Sequence, residues 1–142
     1  MTLWTDPATP EQINAWSKGT IGELLGIEIT EVGADFIRAR MPVDQRTRQP
    51  YGLLHGGASV VLAESLGSVA GALVIAGSGA AVVGLDINAN HLRAVREGWV
   101  IGTARALHIG RSTHVWEIRI ENGAGALVCI SRLTLAVVPK VP

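Results

Sequence analysis

Glu64 is the residue whose type and position most strongly suggest chemistry. It lies in the apolar segment 56–76, which contains no other ionisable side chain. At helical spacing Ser68 follows it by one turn, and Val60 and Gly71 share its face. A carboxylate among small residues in an apolar segment is partly desolvated, which favours reactivity as a base or a nucleophile. We therefore predict a catalytic carboxylate, with a structural ion pair or cap as the alternative.

The residues that precede this segment favour binding of a developing negative charge. His55 stands before Gly56 and Gly57, which open the expected helix. Glycine lets a substrate approach the first helical N–H groups closely, and such donors stabilise an oxyanion. His55 has a structural cap as its alternative role, and Gln49 carries little signal alone. Gly56 and Glu64 are separated by about 12 Å along a helix that rises about 1.5 Å per residue. We therefore predict that a substrate or a second subunit closes the site.

Other kinds of catalytic site have little support in the sequence. The serines near Glu64 lack the G-x-S-x-G context of a nucleophile elbow. His91, His108 and His114 fall on separate expected strands without ligand spacing, so we expect no metal site. Cys129 alternates within an apolar strand, as is typical of a small core residue.

The expected elements that position these residues follow the order αββαββββ. Thr9 is the expected N-cap of the first helix, with Pro10 at its first position. The helices are expected at 10–18 and 56–76, and the strands at 24–32, 36–43, 82–92, 99–109, 113–121 and 126–138. A helix that is apolar on nearly all sides needs a covering layer, which a curved antiparallel sheet provides. We predict an α+β fold in which a six-stranded antiparallel sheet wraps a long central helix.

The composition excludes several functional classes. The chain has 142 residues, 48% hydrophobic and 17% charged, with twelve basic and twelve acidic side chains. We expect one domain over 1–142, with a short N-terminal helix in 1–20 and the core in 21–138. Without a basic run, nucleic acid is not an expected partner. One cysteine and the absence of a signal-peptide pattern lead us to expect the cytoplasm.

The uncharged run 65–85 has the length of a membrane span. Gly77, Ser78 and Gly79 interrupt it and no basic flank orients it, so we do not expect a membrane partner. The abundant apolar surface instead predicts a homo-oligomer.

Four stretches of the sequence resemble the hotdog-fold acyl-CoA thioesterases of the PaaI-like branch, related to menaquinone-pathway and enterobactin-pathway proofreading enzymes. They are MPVD at 41–44, QPYGLLHGGAS at 49–59 followed by ESLGS at 64–68, and GLDINANH at 84–91. The resemblance covers roughly 20–138. It implies a hotdog fold, dimers with active sites at the interface, further pairing into tetramers, and hydrolysis without a cofactor.

The resemblance also implies a role for each matching residue. Glu64 matches the catalytic carboxylate, acting as nucleophile or as general base. The Gly56 N–H matches the donor to the thioester carbonyl, His55 and Gln49 match residues that orient thioester and water, and Ser68 matches a hydroxyl one turn on. The implied acyl and coenzyme A contacts are Val83, Gly84, His91, Arg93, Arg96, Gly110, Arg111 and Ser112. Arginine suits phosphate, although solvated charge at strand ends is the alternative for these arginines.

The leading functional hypothesis is hydrolysis of acyl- or aroyl-CoA. Two alternatives remain open at this point. One is proofreading hydrolysis of acyl groups on carrier-protein phosphopantetheine, and the other is a non-catalytic acyl-CoA binding module. A hotdog dehydratase is disfavoured because we find no Asp/His pair at the expected place.

Overall fold

The structure is a computed structural model that describes residues 1–140. The helices are α1 (Pro10–Trp16), α2 (Ile21–Leu24) and α3 (Gly56–Val74). The strands are β1 (Glu28–Val32), β2 (Phe36–Pro42), β3 (Ala80–His91), β4 (Trp99–Ile109), β5 (Thr113–Asn122) and β6 (Leu127–Pro139). Apart from α2, this order confirms the one expected from the sequence.

The six strands form one antiparallel sheet in the order β1-β2-β4-β5-β6-β3. Strands β1 and β3 are therefore its edges. α3 packs across β2 to β6, and its buried Leu62 and Leu66 face Gly102 of β4, where a Cβ would lie within 3.4 Å of both side chains. A side chain on Gly67 would meet Leu133 Cδ2 at 2.5 Å, so glycine allows the helix to approach β6 closely. The predicted α+β fold, with a long helix wrapped by a six-stranded sheet, is confirmed.

α3 has 19 residues and is long and apolar enough to cross a membrane, but half of its most apolar stretch is buried inside the fold. The uncharged run 65–85 does not form one continuous helix. It is divided between the end of α3 at Val74 and the first half of β3.

The N-terminal helices differ from the expectation in their bounds. The Thr9 hydroxyl accepts the Gln12 N–H at 3.2 Å and the Gln12 side chain accepts the Thr9 N–H at 2.9 Å, which confirms Thr9 as the N-cap of α1. α1 ends at Trp16, two residues earlier than expected. α2 was not expected, and it displaces the start of β1 from position 24 to Glu28.

Asn14 fastens α1 to the outer edge of β1. Its side-chain amide donates to the Ile29 carbonyl at 3.0 Å and accepts the Ile29 N–H at 2.7 Å. The amide therefore takes the place that a neighbouring strand would occupy at this residue. Ile13, on the same helix, is buried in the core.

Candidate active site

The first turn of α3 presents a free backbone donor. His55 is the N-cap, and its Nδ1 accepts the Gly57 N–H at 2.8 Å. Because Nδ1 is the acceptor, the proton of the neutral ring lies on Nε2. The His55 N–H donates to the Thr47 carbonyl at 2.7 Å, which fixes the entry to the helix. Within residues 1–140 no acceptor is bonded to the Gly56 N–H, so this donor is available to a substrate.

Gln49 lies in the tight loop that precedes α3. Its side-chain oxygen accepts the Tyr51 N–H at 2.5 Å, and its own N–H donates to the Leu53 carbonyl at 2.8 Å. These bonds fix the orientation of the side chain. Among the described residues nothing accepts from the Gln49 side-chain nitrogen, which is thus left to donate elsewhere.

Glu64 lies partly buried on the open face of α3, against β3. An ideal Cβ on Gly84 would be 2.5 Å from Glu64 Oε2, so the carboxylate occupies the space left by the missing side chain. In the part of the chain that the structure describes, Glu64 forms neither an ion pair nor a hydrogen bond. The structural alternative, in which Glu64 pairs with arginine or caps another element, has no support.

Two recesses meet at Ser68. The first, of about 380 Å³, is lined by Glu64 and Ser65 together with Val61 and Ile21. The second, of about 530 Å³, extends past the end of α3. Apart from Ser68, it is lined by Ala72, Ile75, Ala76, Gly77, Gly79, Ala80, Ala81, Val82 and Lys140. The hydroxyl one turn beyond the carboxylate therefore stands between them.

Two of the small residues expected beside the site lie elsewhere. Val83 is 48% exposed on the face of β3 that points away from α3, because alternate residues of a strand face opposite sides. Val82 and not Val83 lines the larger recess. Gly71, expected on the same face as Glu64, is buried, and a Cβ there would meet Leu135 Cδ1 at 2.6 Å.

His91 lies over the N-terminus of α3. A Cβ on Gly56 would be 2.8 Å from His91 Nε2. Along β3, Gly84 therefore lies beside the carboxylate and His91 lies beside the free N–H. A carboxylate, a backbone N–H without an acceptor in residues 1–140 and two hydroxyls along one helix are groups of the kind that acyl transfer can use.

Comparison with known proteins identifies the family of the chain. The profile described as "Thioesterase superfamily" matches residues 51–129. The chain belongs to the thioesterase superfamily. It is 52% identical to the 1,4-dihydroxy-2-naphthoyl-CoA hydrolase of Escherichia coli (strain K12), over 95% of this chain and 98% of that protein. It is also 52% identical, with the same coverages, to the proofreading thioesterase EntH of Cronobacter turicensis.

A solved structure shows the same fold. The Q49A variant of thioesterase PA1618 from Pseudomonas aeruginosa superposes with a TM-score of 0.96 at 54% identity, covering 98% of this chain and 100% of that chain. The family, the hotdog fold and the class of thioester hydrolase are thus confirmed.

The two arginine groups expected to meet coenzyme A lie at opposite ends of this thioesterase. Arg93 and Arg96 follow β3, next to the N-terminus of α3. The turn 110–112 lies at the other end of the sheet, where the Ser112 carbonyl accepts the Val137 N–H at 2.9 Å and Val137 pairs with Val82. From Val82 to His91 a strand spans roughly 30 Å at about 3.3 Å per residue. One protomer therefore does not bring Arg111 to the group that contains Arg93.

Arg48 is a basic residue near the site that the sequence did not single out. Its Nε donates to the Arg96 carbonyl at 3.2 Å, and the Leu54 N–H donates to the Val95 carbonyl at 2.8 Å. These contacts join the loop before α3 to the loop after β3. Arg48, Arg93 and Arg96, which we call the basic group, therefore lie on two adjoining loops next to the start of α3.

The remaining titratable candidates of the thioesterase lie in the core. Cys129 is fully buried, and burial raises the pKa of its thiol, which confirms it as a core residue. His114 is buried next to Trp116, and its Nδ1 has no partner in residues 1–140. Burial, with a smaller contribution from the charge of His108, lowers the pKa of His114. No three His, Cys, Asp or Glu side chains converge as a metal site within the described residues.

Proposed function

We propose that this thioesterase hydrolyses acyl- or aroyl-CoA thioesters to a free carboxylic acid and coenzyme A. The observation that carries the proposal is the Glu64 carboxylate in an open groove of α3, together with the Gly56 N–H at the start of the same helix, both without a partner among residues 1–140. Hydrolysis of a thioester uses two such groups. A carboxylate activates the attacking atom, and a backbone N–H stabilises the negative charge that develops on the carbonyl oxygen.

In the general-base route, Glu64 takes a proton from water while the water oxygen attacks the thioester carbon. The Gly56 N–H and the positive end of α3 stabilise the tetrahedral oxyanion. The C–S bond then breaks, the carbonyl re-forms, and coenzyme A leaves as a thiolate that takes up the proton. In the nucleophilic route, Glu64 itself attacks and forms a mixed anhydride that water then hydrolyses. Rapid-quench mass spectrometry of the protein during turnover distinguishes the routes, because only the second acylates Glu64.

Three further side chains orient the reactants in this proposal. The free side-chain nitrogen of Gln49 and the Nε2–H of His55 donate toward the thioester or the water. The Ser68 hydroxyl lies on the open face of α3 where the groove continues past Glu64. None of the three needs to supply a strong acid, because the thiolate is a good leaving group.

We further propose that each site is shared between two protomers. Gly56 and Glu64 of one helix are about 12 Å apart, too far for one thioester carbonyl to meet both. β3 is an unpaired edge with exposed Val83 and Leu85. Pairing of two β3 edges about a twofold axis would set Glu64 of one protomer opposite Gly56 of its partner. It would also bring Arg111 of one protomer toward Arg93 and Arg96 of the other, where they contact the phosphates of coenzyme A.

Hydrolysis of acyl groups on carrier-protein phosphopantetheine is the second candidate. A relative that is 52% identical is a proofreading thioesterase. The basic group of Arg48, Arg93 and Arg96 beside the site offers a surface for an acidic partner as well as for phosphate. Comparing kcat/KM for one acyl group presented on coenzyme A and on a carrier protein separates the two.

The proposal is tested by measuring free thiol released from a panel of aliphatic and aromatic acyl-CoAs. We expect Glu64→Gln to lower kcat by about 10²–10⁴-fold, as loss of a general acid–base group does. If wild-type protein binds acyl-CoA tightly but leaves the thioester intact, and Glu64→Gln binds equally well, the chain is a binding module and the proposal is wrong.

A further inference from the structure

The groove beside Glu64 has a wall that comes from outside the central helix. Ile21, the first residue of α2, lines it together with Val61, Glu64, Ser65 and Ser68. Ile21 and Val61 are its two aliphatic side chains, and they stand on different helices. Ile21 is 57% exposed, so its side chain is accessible to a molecule in the groove. We propose that Ile21 determines which acyl groups this thioesterase accepts. The inference rests on the proposed hydrolysis at Glu64.

Ile21 is held in a fixed position. The Leu24 N–H donates to the Thr20 carbonyl at 3.3 Å, and the Ile27 N–H donates to the Gly22 carbonyl at 2.9 Å. The Gly19 N–H donates to the Glu23 carboxylate at 3.1 Å, and Gly22 is buried. A side chain on an anchored segment forms a wall of defined shape, which discrimination between similar acyl groups requires.

The groups proposed for the chemistry and the Ile21 side chain that forms the wall of the groove belong to different helices. Gly56 and Glu64 stand on α3, whereas Ile21 stands on α2. A residue at position 21 can therefore change the shape of the groove without altering the carboxylate or the oxyanion donor. This arrangement fits a residue that selects substrates for a reaction performed by others.

The chemistry of the groove indicates the class of acyl group. Ile21 and Val61 offer apolar contact, Ser65 and Ser68 offer hydroxyls, and Glu64 is its single charged residue. An apolar acyl or aryl group gains from burial here, at roughly 25 cal/mol per Å² of apolar surface. An acyl chain with a carboxylate next to the thioester would face Glu64 and be repelled.

The test compares Ile21→Ala with Leu24→Ala, a matched control on the same short helix. Leu24 is 72% exposed and does not line the groove. The substrates are acetyl-CoA, a straight medium-chain acyl-CoA and benzoyl-CoA. We expect Ile21→Ala to lower kcat/KM about tenfold for the two larger substrates through KM, because lost apolar contact in a pocket has effects of this order. Acetyl-CoA should be unaffected, and Leu24→Ala should resemble wild type on all three.

A second variant tests the same position with a larger side chain. Ile21→Trp should exclude benzoyl-CoA while acetyl-CoA is still hydrolysed. The inference is overturned if Ile21→Ala keeps the wild-type profile or lowers all three substrates equally. It is also overturned if light scattering shows that Ile21→Ala changes the oligomeric mass, since Ile21 would then be an interface residue. A wild type that releases no thiol from any substrate would instead contradict the proposed function, and the role of Ile21 with it.

Discussion

The carboxylate of Glu64 lies where a side chain on Gly84 would have to fit. A Cβ at that position would be 2.5 Å from Oε2, and real Cβ atoms do not approach an oxygen so closely. We expect Gly84→Ala to displace the carboxylate and to lower kcat by about 10²-fold with little change in KM, as misplacement of a reacting group by about 1 Å does. Steady-state kinetics with one acyl-CoA measures both parameters.

Gly123→Ala is the control for this substitution. Gly123 lies in the turn between β5 and β6, and a Cβ there has no neighbour within 4 Å. This variant should retain wild-type kinetics. If Gly84→Ala also retains them, the close contact of Glu64 with β3 has no part in positioning the carboxylate.

His114 gives the folded protein a dependence on pH that its surface does not reveal. Burial lowers the pKa of His114 below its usual value, so the unfolded chain binds a proton more readily than the folded one. The contribution to stability is complete above a pH of about 6.5, the ordinary histidine pKa, and is lost as the pH falls below it. We therefore expect the free energy of unfolding, measured by denaturant titration, to decrease over the pH interval that begins at about 6.5 and extends downward.

The variant His114→Leu should show a weaker decrease over the same interval. His108→Gln serves as the control, because His108 is exposed and makes only the smaller contribution to the pKa of His114. An equally steep decrease in His114→Leu would assign the acid sensitivity to other groups.

At the scale of single residues, the sequence predicted what one helix holds and missed what loops bring together. The sequence could single out Glu64, Ser68, Gly56 and His55, because all four belong to one helix or its N-cap and their spacing gives their relative positions. Arg48 was not, because it reaches Arg96 only through the contact of two loops that are 48 positions apart. No local pattern carries such a contact.

The start of α3 combines a structural and a chemical role in His55. The Nδ1 atom caps the helix, and Nε2 is free to donate. We expect His55→Ala to lower the free energy of unfolding by about 1 kcal/mol, the usual effect of losing an N-cap. His55→Asn should restore stability, because asparagine caps well, but not activity. Denaturant titration and thiol release, measured on the same samples, separate the two roles.

Full activity in His55→Asn would show that His55 acts only as a cap. Full stability in His55→Ala would show instead that the bond from Gly57 contributes little to α3. Either result would revise one role without affecting the other.

At the scale of elements, periodicity located the long helix and the strands, while the short α2 escaped it. Four residues are fewer than two helical turns, and Thr20 makes no side-chain cap that would mark the start of α2. Gly26, with a φ of 73°, then turns the chain into β1. Leu24 therefore ends α2 and Leu25 is its C-cap, and neither belongs to the strand expected at 24–32.

At the scale of the whole molecule, the proposed pairing of β3 edges can be tested by mixing two inactive variants. Neither Glu64→Gln nor His55→Asn should be active alone. If sites are shared, a mixed dimer holds one site with both defects and one intact site. Co-refolding equal amounts should then restore about a quarter of wild-type activity, since about half of the dimers are mixed and each has one working site.

No recovery in this experiment, with mixed dimers demonstrated by mass spectrometry, would place each complete site within one protomer. The control is the double variant, which carries both Glu64→Gln and His55→Asn, refolded with wild type. If sites are shared, each site of this mixed dimer contains one altered residue, so neither site is intact.

The two edges of the sheet are not alike, and the difference limits how far copies of the chain can add to one another. On β1 the Asn14 side chain already holds both backbone groups of Ile29, so a strand arriving there finds its partners taken. On β3 the outer edge meets no other strand among residues 1–140. Under the proposed pairing of β3 edges, a sheet with one closed and one open edge joins one further copy and then has no open edge left, so the sheet cannot extend into a filament, while other faces remain available for dimers to pair.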